Sequence, residues 1–150
     1  MKFFSSIRPL AIAALGFFTL ASGQALALEM GDAEAGDRIF RRCKACHATG
    51  EGAGNGVGPM LNGILCRPIG SVEDYRYSNP MQERAAEGGN WTVEALNDYL
   101  ENPSEYLDGR SRMTLKLRKE EDRLNVIAFL AQLNADGTTL AAGEDVATCE

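Results

Sequence analysis

The chain of 150 residues, 45% hydrophobic and 24% charged, is the length of one ordinary domain and excludes a multidomain assembly. Its 15 Lys and Arg against 21 Asp and Glu give a formal charge of −6, the opposite of the basic footprint that non-specific nucleic-acid binding needs. Four cysteines and a single histidine leave few ways to build a reactive or metal site.

The first predicted element is an address. Lys2 and Arg8 precede an uncharged apolar run from Pro9 to Leu20, and small residues then lead to Ala25-Leu26-Ala27. A charged start, a short apolar stretch and an A-x-A site are the parts of a secretory signal peptide over 1–27. The competing reading is an uncleaved membrane anchor, but Ser22, Gly23 and Gln24 interrupt the run and leave it short for a bilayer. Cleavage after Ala27 removes Lys2 and Arg8, so residues 28–150 carry 13 basic against 21 acidic side chains, a net charge of −8. No second stretch could span a membrane, and the expected product is a soluble, exported monomer without stable membrane insertion.

A short helix is expected over Asp32 to Arg42, capped by Asp32, with Ala35, Ile39 and Cys43 as its buried stripe. It delivers Cys43-Lys44-Ala45-Cys46-His47. C-x-x-C-H is the attachment signature of a c-type haem. Two thiols three residues apart on a helical turn can add to the two vinyl groups along one porphyrin edge, and the next residue then stands where its imidazole reaches the iron. A redox C-x-x-C would want a βαβ setting, which is not visible. Zinc wants about four ligands, and Cys66 and Cys149 stand at no recognisable spacing.

Thr49 to Gly58, with five glycines and no large side chain, reads as a flexible turn. Asn79-Pro80 starts a brief helix through Glu87, with Pro80 at its first turn. Thr92 to Glu101 reads as a capped helix with Leu96, Tyr99 and Leu100 facing inward. Asn102-Pro103 ends it, and Pro103 to Tyr106 adds a turn. Leu117 to Leu133 is the strongest helix, with Leu124, Ile127, Ala128, Leu130 and Ala131 on one face. Residues 134–150 are Ala-, Gly- and Thr-rich and acidic, and read as a tail. No alternating strand pattern, internal repeat or phosphate loop occurs, so the domain at 28–133 is predicted to be small and all-α.

Around Cys43, Cys46 and His47 the sequence resembles the class I cytochromes c, bacterial ones in particular, from about Gly36 to Leu133. Gly36 and Phe40 look like the glycine and aromatic with which that family's first helix crosses its last, where Ile127 and Phe129 stand. Gly58-Pro59-Met60-Leu61 resembles the G-P-x-L motif, whose Pro carbonyl accepts a hydrogen bond from the axial histidine. Gly63-Ile64-Leu65-Cys66-Arg67 is similar to the following G-x-x-G-R stretch, with Cys66 in place of glycine. Arg67, Tyr77 and Trp91 match positions that hydrogen-bond the haem propionates. The resemblance implies four to five short helices wrapped around one covalently attached haem c.

With His47 the only histidine, the sixth iron ligand comes from elsewhere: lysine, asparagine or water could serve, but the resemblance implies a methionine. Met30 precedes the first helix, Met60 occupies the x of G-P-x-L, and Met81 sits on the brief helix. Met113, in Gly109-Arg110-Ser111-Arg112-Met113, matches the family's ligand loop, with Ser111 placed to stabilise the loop and Tyr99 to hydrogen-bond the sulfur. Two filled axial positions imply one-electron transfer at an exposed haem edge and no enzyme activity.

Arg41, Arg42 and Lys44 flank the haem motif, and Arg110, Arg112, Lys116, Arg118 and Lys119 flank the Met113 loop. Acidic residues gather at Glu29, Asp32, Glu34 and Asp37 and at Asp136, Glu144, Asp145 and Glu150. A basic rim on an acidic protein would orient it toward acidic partners in transient contacts. The expected partners are a membrane quinol-oxidising complex or periplasmic dehydrogenase as donor and a terminal oxidase or photosynthetic reaction centre as acceptor. A haem subunit held on a dehydrogenase is a weaker reading, and a haem sensor or peroxidase-like enzyme is the alternative if Met113 does not bind. Cys66 and Cys149 remain as an even pair in an exported protein and suggest a disulfide tying the tail back, against two free thiols or a bridge to another chain.

Overall fold

The structure is a computed structural model that describes residues 29–141 and Cys149; the signal peptide expected over 1–27 lies outside the described residues. The described chain folds as five helices: α1 (Ala33–Phe40), α2 (Asn79–Ala86), α3 (Val93–Glu101), α4 (Pro103–Tyr106) and α5 (Glu120–Ala131). Among the described residues the only β pairing is two isolated bridges, Pro68 with Asn90 and Leu133 with Thr139. The all-α prediction holds.

Local chemistry sets the helix ends. The Asp32 carboxylate accepts from the Ala35 N–H at 2.8 Å, and the Thr92 hydroxyl accepts from the Ala95 N–H at 3.1 Å. Glu120, Glu121 and Asp122 fill the first turn of α5, where acidic groups meet the positive end of the helix dipole. That helix is shorter than the predicted 117–133. Leu117 is 1% exposed, and its N–H goes to the Leu100 carbonyl at 2.8 Å, so its backbone serves α3 and not a helical turn. At the other end Leu133 leaves the helix to pair with Thr139.

α1 and α5 cross at Gly36. A Cβ there would overlap the Asn125 carbonyl oxygen and lie 2.8 Å from Phe129 Cβ, so only glycine lets the two backbones meet. Beside the crossing the Phe40 and Phe129 rings lie 5.0 Å apart. This contact rotates α1 from its expected stripe. Gly36, Phe40 and Cys43 are buried, while Ala35 and Ile39 are only half-buried. On α5 the inward face gains Arg123 and Val126, and Leu124 moves to its margin.

Arg123, 4% exposed, fastens α5 to what precedes it. Its Nε donates to Asn97 Oδ1 on α3 at 2.8 Å, and its Nη1 donates to the carbonyls of Leu117 and Arg118 at 2.9 and 3.0 Å. The Glu101 carboxylate, 3.7 Å away, supplies the opposite charge that a buried cation requires. The segment between α4 and α5 is thereby pinned at its end, which fixes where the Met113 loop can lie.

Candidate haem-binding site

The chain continues turning after α1. The N–H groups of Cys46 and His47 both donate to the Cys43 carbonyl, at 3.0 and 2.9 Å, so the two thiols and the imidazole come off one tight turn. Cys43 is buried and Cys46 exposed, and neither is in a disulfide. Burial pushes the Cys43 thiol above its ordinary range, partly opposed by the positive charge of Arg42.

The next segment returns beneath the histidine. Gly58 N–H donates to the Cys46 carbonyl at 2.8 Å, and the Leu61 N–H to that of Ala48 at 3.0 Å. The Pro59 carbonyl then stands 2.7 Å from His47 Nδ1. A carbonyl can only accept, so Nδ1 carries the proton and Nε2 is left with the lone pair that a metal needs. Burial holds the imidazole below its ordinary pKa against this bond, favouring the neutral ring required of a ligand. Gly58 is obligatory, since a Cβ there would overlap the His47 ring.

These residues form one wall of a cleft open to solvent. All nine residues predicted for the cofactor line it: Cys43, Cys46, His47, Pro59, Arg67, Tyr77, Trp91, Tyr99 and Met113. Leu96 and Leu100 of α3 and Val126 and Leu130 of α5 supply apolar wall. The Met113 loop is held as expected of Ser111: Met113 N–H donates to the Ser111 hydroxyl, and Ser111 N–H to that of Ser104, both at 3.1 Å. Tyr99 has the Ser111 hydroxyl as a hydrogen-bonding neighbour, which acts to lower the pKa of its phenol. Burial nevertheless raises the Tyr99 phenol above its ordinary range. Arg67 also has protein partners, donating to the Asn62 carbonyl at 2.9 Å and the Met60 carbonyl at 3.2 Å, and burial lowers its pKa. The Tyr77 oxygen accepts from Val72 N–H at 3.2 Å, and burial raises that phenol.

Of the other methionines, Met81 is buried and lines the same cleft, whereas Met30 packs against the core elsewhere. Several contributors gave little or no signal of this role in the sequence. Tyr75 lines the cleft and donates to the Val57 carbonyl at 2.8 Å; its place two residues from Tyr77 was the available signal. Arg112 lines the cleft and donates to the Arg76 carbonyl at 2.7 Å, although the sequence placed it only in a charged rim. Asn62, buried and bonded twice to Gly50, gave no signal at all.

The donor set fits a covalently held haem. Two unpaired thiols and an imidazole with a free Nε2 share one wall, a thioether lines the cleft, and the space between is mainly apolar. A cluster of three or more His, Cys, Asp or Glu able to hold a bare metal ion does not occur among the described residues.

The comparisons with known proteins agree with this geometry. No family model matches the chain. It is 47% identical over 103 residues to cytochrome c-550 of Ancylobacter novellus, covering 69% of this chain and 96% of that one. It is 45% identical over 100 residues to a cytochrome c2 of Agrobacterium tumefaciens, covering 67% and 90%. Among solved structures, cytochrome c2 from Rhodospirillum centenum superposes with a TM-score of 0.67 at 32% identity, covering 69% of this chain and 99% of the other. Ferric cytochrome c-550 from Paracoccus versutus gives 0.63 at 33% identity, covering 69% and 98%.

Proposed function

The chain belongs to the class I cytochromes c, and from that premise we propose that it is an exported one-electron shuttle whose iron is held between His47 and Met113. It is an electron-transfer protein and not an enzyme, and it carries one haem c attached through Cys43 and Cys46. When bound, that group supplies a ferric–ferrous couple that stores a single electron.

The rest is done by the chain. Cys43 and Cys46 fix the cofactor's edge, and Pro59 keeps His47 in the tautomer that offers Nε2. Met113, which lines the same cleft on a loop braced by Ser111 and Ser104, would supply the second ligand to the iron. A thioether in that position raises the reduction potential relative to harder ligands and leaves no open site for oxygen or peroxide. Arg67, Tyr77 and Trp91 offer polar groups for the propionates. The leucines and valine of α3 and α5 exclude water, so little solvent reorganises when the charge changes.

Residues 1–27 direct export and are removed, leaving the haem domain at 28–133 and its tail at 134–150 in the periplasm. Donor and acceptor are a quinol-oxidising complex or periplasmic dehydrogenase and an oxidase or reaction centre. They dock where Val57, the most exposed large apolar side chain among the described residues, stands at the cleft beside the exposed Cys46 and Arg112.

The single observation that carries this reading is the convergence of all nine expected residues on one cleft, with His47 Nδ1 already engaged. The test is the weak far-red absorption of iron–thioether ligation in the ferric protein. It should be present in the parent, lost in Met113→Ala and kept in Met81→Ala. Its absence from the parent, or its loss in Met81→Ala alone, would overturn the assignment of Met113.

A further inference from the structure

Beyond α5 the chain folds back on the molecule. The Leu133 carbonyl accepts from Gly63 N–H at 3.0 Å, Asn134 N–H donates to the Thr138 carbonyl at 2.9 Å, and Leu140 N–H to that of Gln132 at 2.8 Å. The resulting hairpin sits on two glycines. A Cβ on Gly63 would lie 2.9 Å from the Ala135 Cα, and a Cβ on Gly137 would overlap the Gly50 carbonyl. Gly50 and Gly63 bound the segment that carries Pro59. Asn62 ties its ends together, its Oδ1 accepting from Gly50 N–H and its Nδ2 donating to the Gly50 carbonyl, both at 2.8 Å. Three residues past Gly63, Cys66 forms a disulfide with Cys149 across 83 residues of sequence. Cys66 has φ of 64°, a left-handed conformation that an ordinary side chain adopts only when something holds it there.

We propose that residues 133–141 and Cys149 form a redox-releasable strap over segment 50–63, which holds the Pro59 carbonyl under His47 through the Gly50–Asn62 tie. The disulfide is the releasable joint. Both of its residues are partly exposed, so a dithiol can reach them. Its thiolate attacks one sulfur, forming a mixed disulfide; its second thiol then displaces the protein sulfur. Two electrons and two protons pass to the protein, Cys66 and Cys149 become thiols, and the reagent leaves as a disulfide. The haem-attaching cysteines take no part. With the joint open, Cys66 relaxes, the hairpin lifts from Gly50 and Gly63, and the loop that fixes the His47 tautomer opens more often. Only this last link rests on the function proposed above; the hold on Gly50 and Gly63 stands without it.

The test is hydrogen exchange on the full holoprotein in three forms: parent, parent reduced with dithiothreitol and then re-oxidised, and Cys149→Ser. Reduction should expose two thiols and speed exchange at the Gly50 and Gly63 amides and the His47 Nδ1–H at least tenfold, with Ile127 unchanged and re-oxidation restoring protection. Gly137→Ala, which displaces the hairpin with the disulfide intact, should speed exchange at Gly50 as well. Two exposed thiols with unchanged exchange would overturn the strap, and acceleration confined to Gly63 would overturn its link to His47. If Cys149→Ser fails to fold, reduction of the folded parent gives the same reading. Iron ligation is followed separately by the far-red absorption, so its failure is distinguishable from failure of the strap.

Discussion

Gly58 sets the tolerance of the site. It lies directly against the His47 imidazole, and an added Cβ would overlap the ring and come within 2.7 Å of Nδ1 and Nε2. Neither neighbour can give way easily, since Gly58 N–H is committed to the Cys46 carbonyl and His47 to that of Pro59. Gly58→Ala should therefore destabilise the holoprotein by about 1–3 kcal/mol, the usual cost of forcing a methyl into a filled space, and disturb the His47–Pro59 bond. Denaturant unfolding gives the first quantity and the ring N–H resonance of His47 the second; parent-like values in both would contradict the crowding argument. Cys43, Cys46 and His47 were legible because covalent chemistry dictates the spacing of C-x-x-C-H, whereas Pro59 was legible only through the resemblance of Gly58-Pro59-Met60-Leu61 to the family's G-P-x-L motif. Asn62 and Tyr75 were not, because their roles depend on which loop folds back beside them, and no local spacing encodes that.

The helices repeat this division one level up. Caps and proline positions placed α2, α3 and α4 within a residue of where they lie, because those signals act inside a single turn. The Gly36 crossing was legible only through the family resemblance, while the buried stripe read for α1 from periodicity and the ends read for α5 departed because tertiary contacts decide them: Gly36 turns α1 toward α5, and the Leu117–Leu100 bond draws α5 back by a turn. The crossing makes its own prediction. Gly36→Ala puts a methyl into the Asn125 carbonyl and against Phe129, so the helices must separate and the Phe40–Phe129 contact opens. A better helix former at that position should still destabilise, by about 2–3 kcal/mol, since overpacking outweighs the roughly 1 kcal/mol helix propensity gained. The measurement is the denaturant midpoint at constant slope. A neutral or stabilising result would mean that the crossing is looser than these distances indicate.

Over the whole molecule, net charge and local charge point in opposite directions. The full chain is acidic, yet Arg41, Arg42 and Lys44 beside the haem motif and Arg110, Arg112, Lys116, Arg118 and Lys119 around the Met113 loop are all exposed. Glu29, Asp32 and Glu34 lie exposed at the start of α1, and Asp136 lies exposed on the hairpin. An approaching reagent feels charges within about 10 Å at 0.1 M ionic strength, so the group nearest the point of transfer outweighs the sum. Arg112 is that group, since it both lines the cleft and is exposed. The bimolecular reaction with a small anionic metal-complex oxidant should therefore slow as salt is added, although net charge alone predicts acceleration. Arg112→Glu should lower the low-salt rate on the order of 2- to 10-fold and flatten the salt dependence, with the two proteins converging at high ionic strength. Stopped-flow rates across an ionic-strength series decide it. A rate that rises with salt in the parent would show that the acidic surface governs approach, and docking at this cleft would then have to be steered by some other contact, with Val57 the first to substitute.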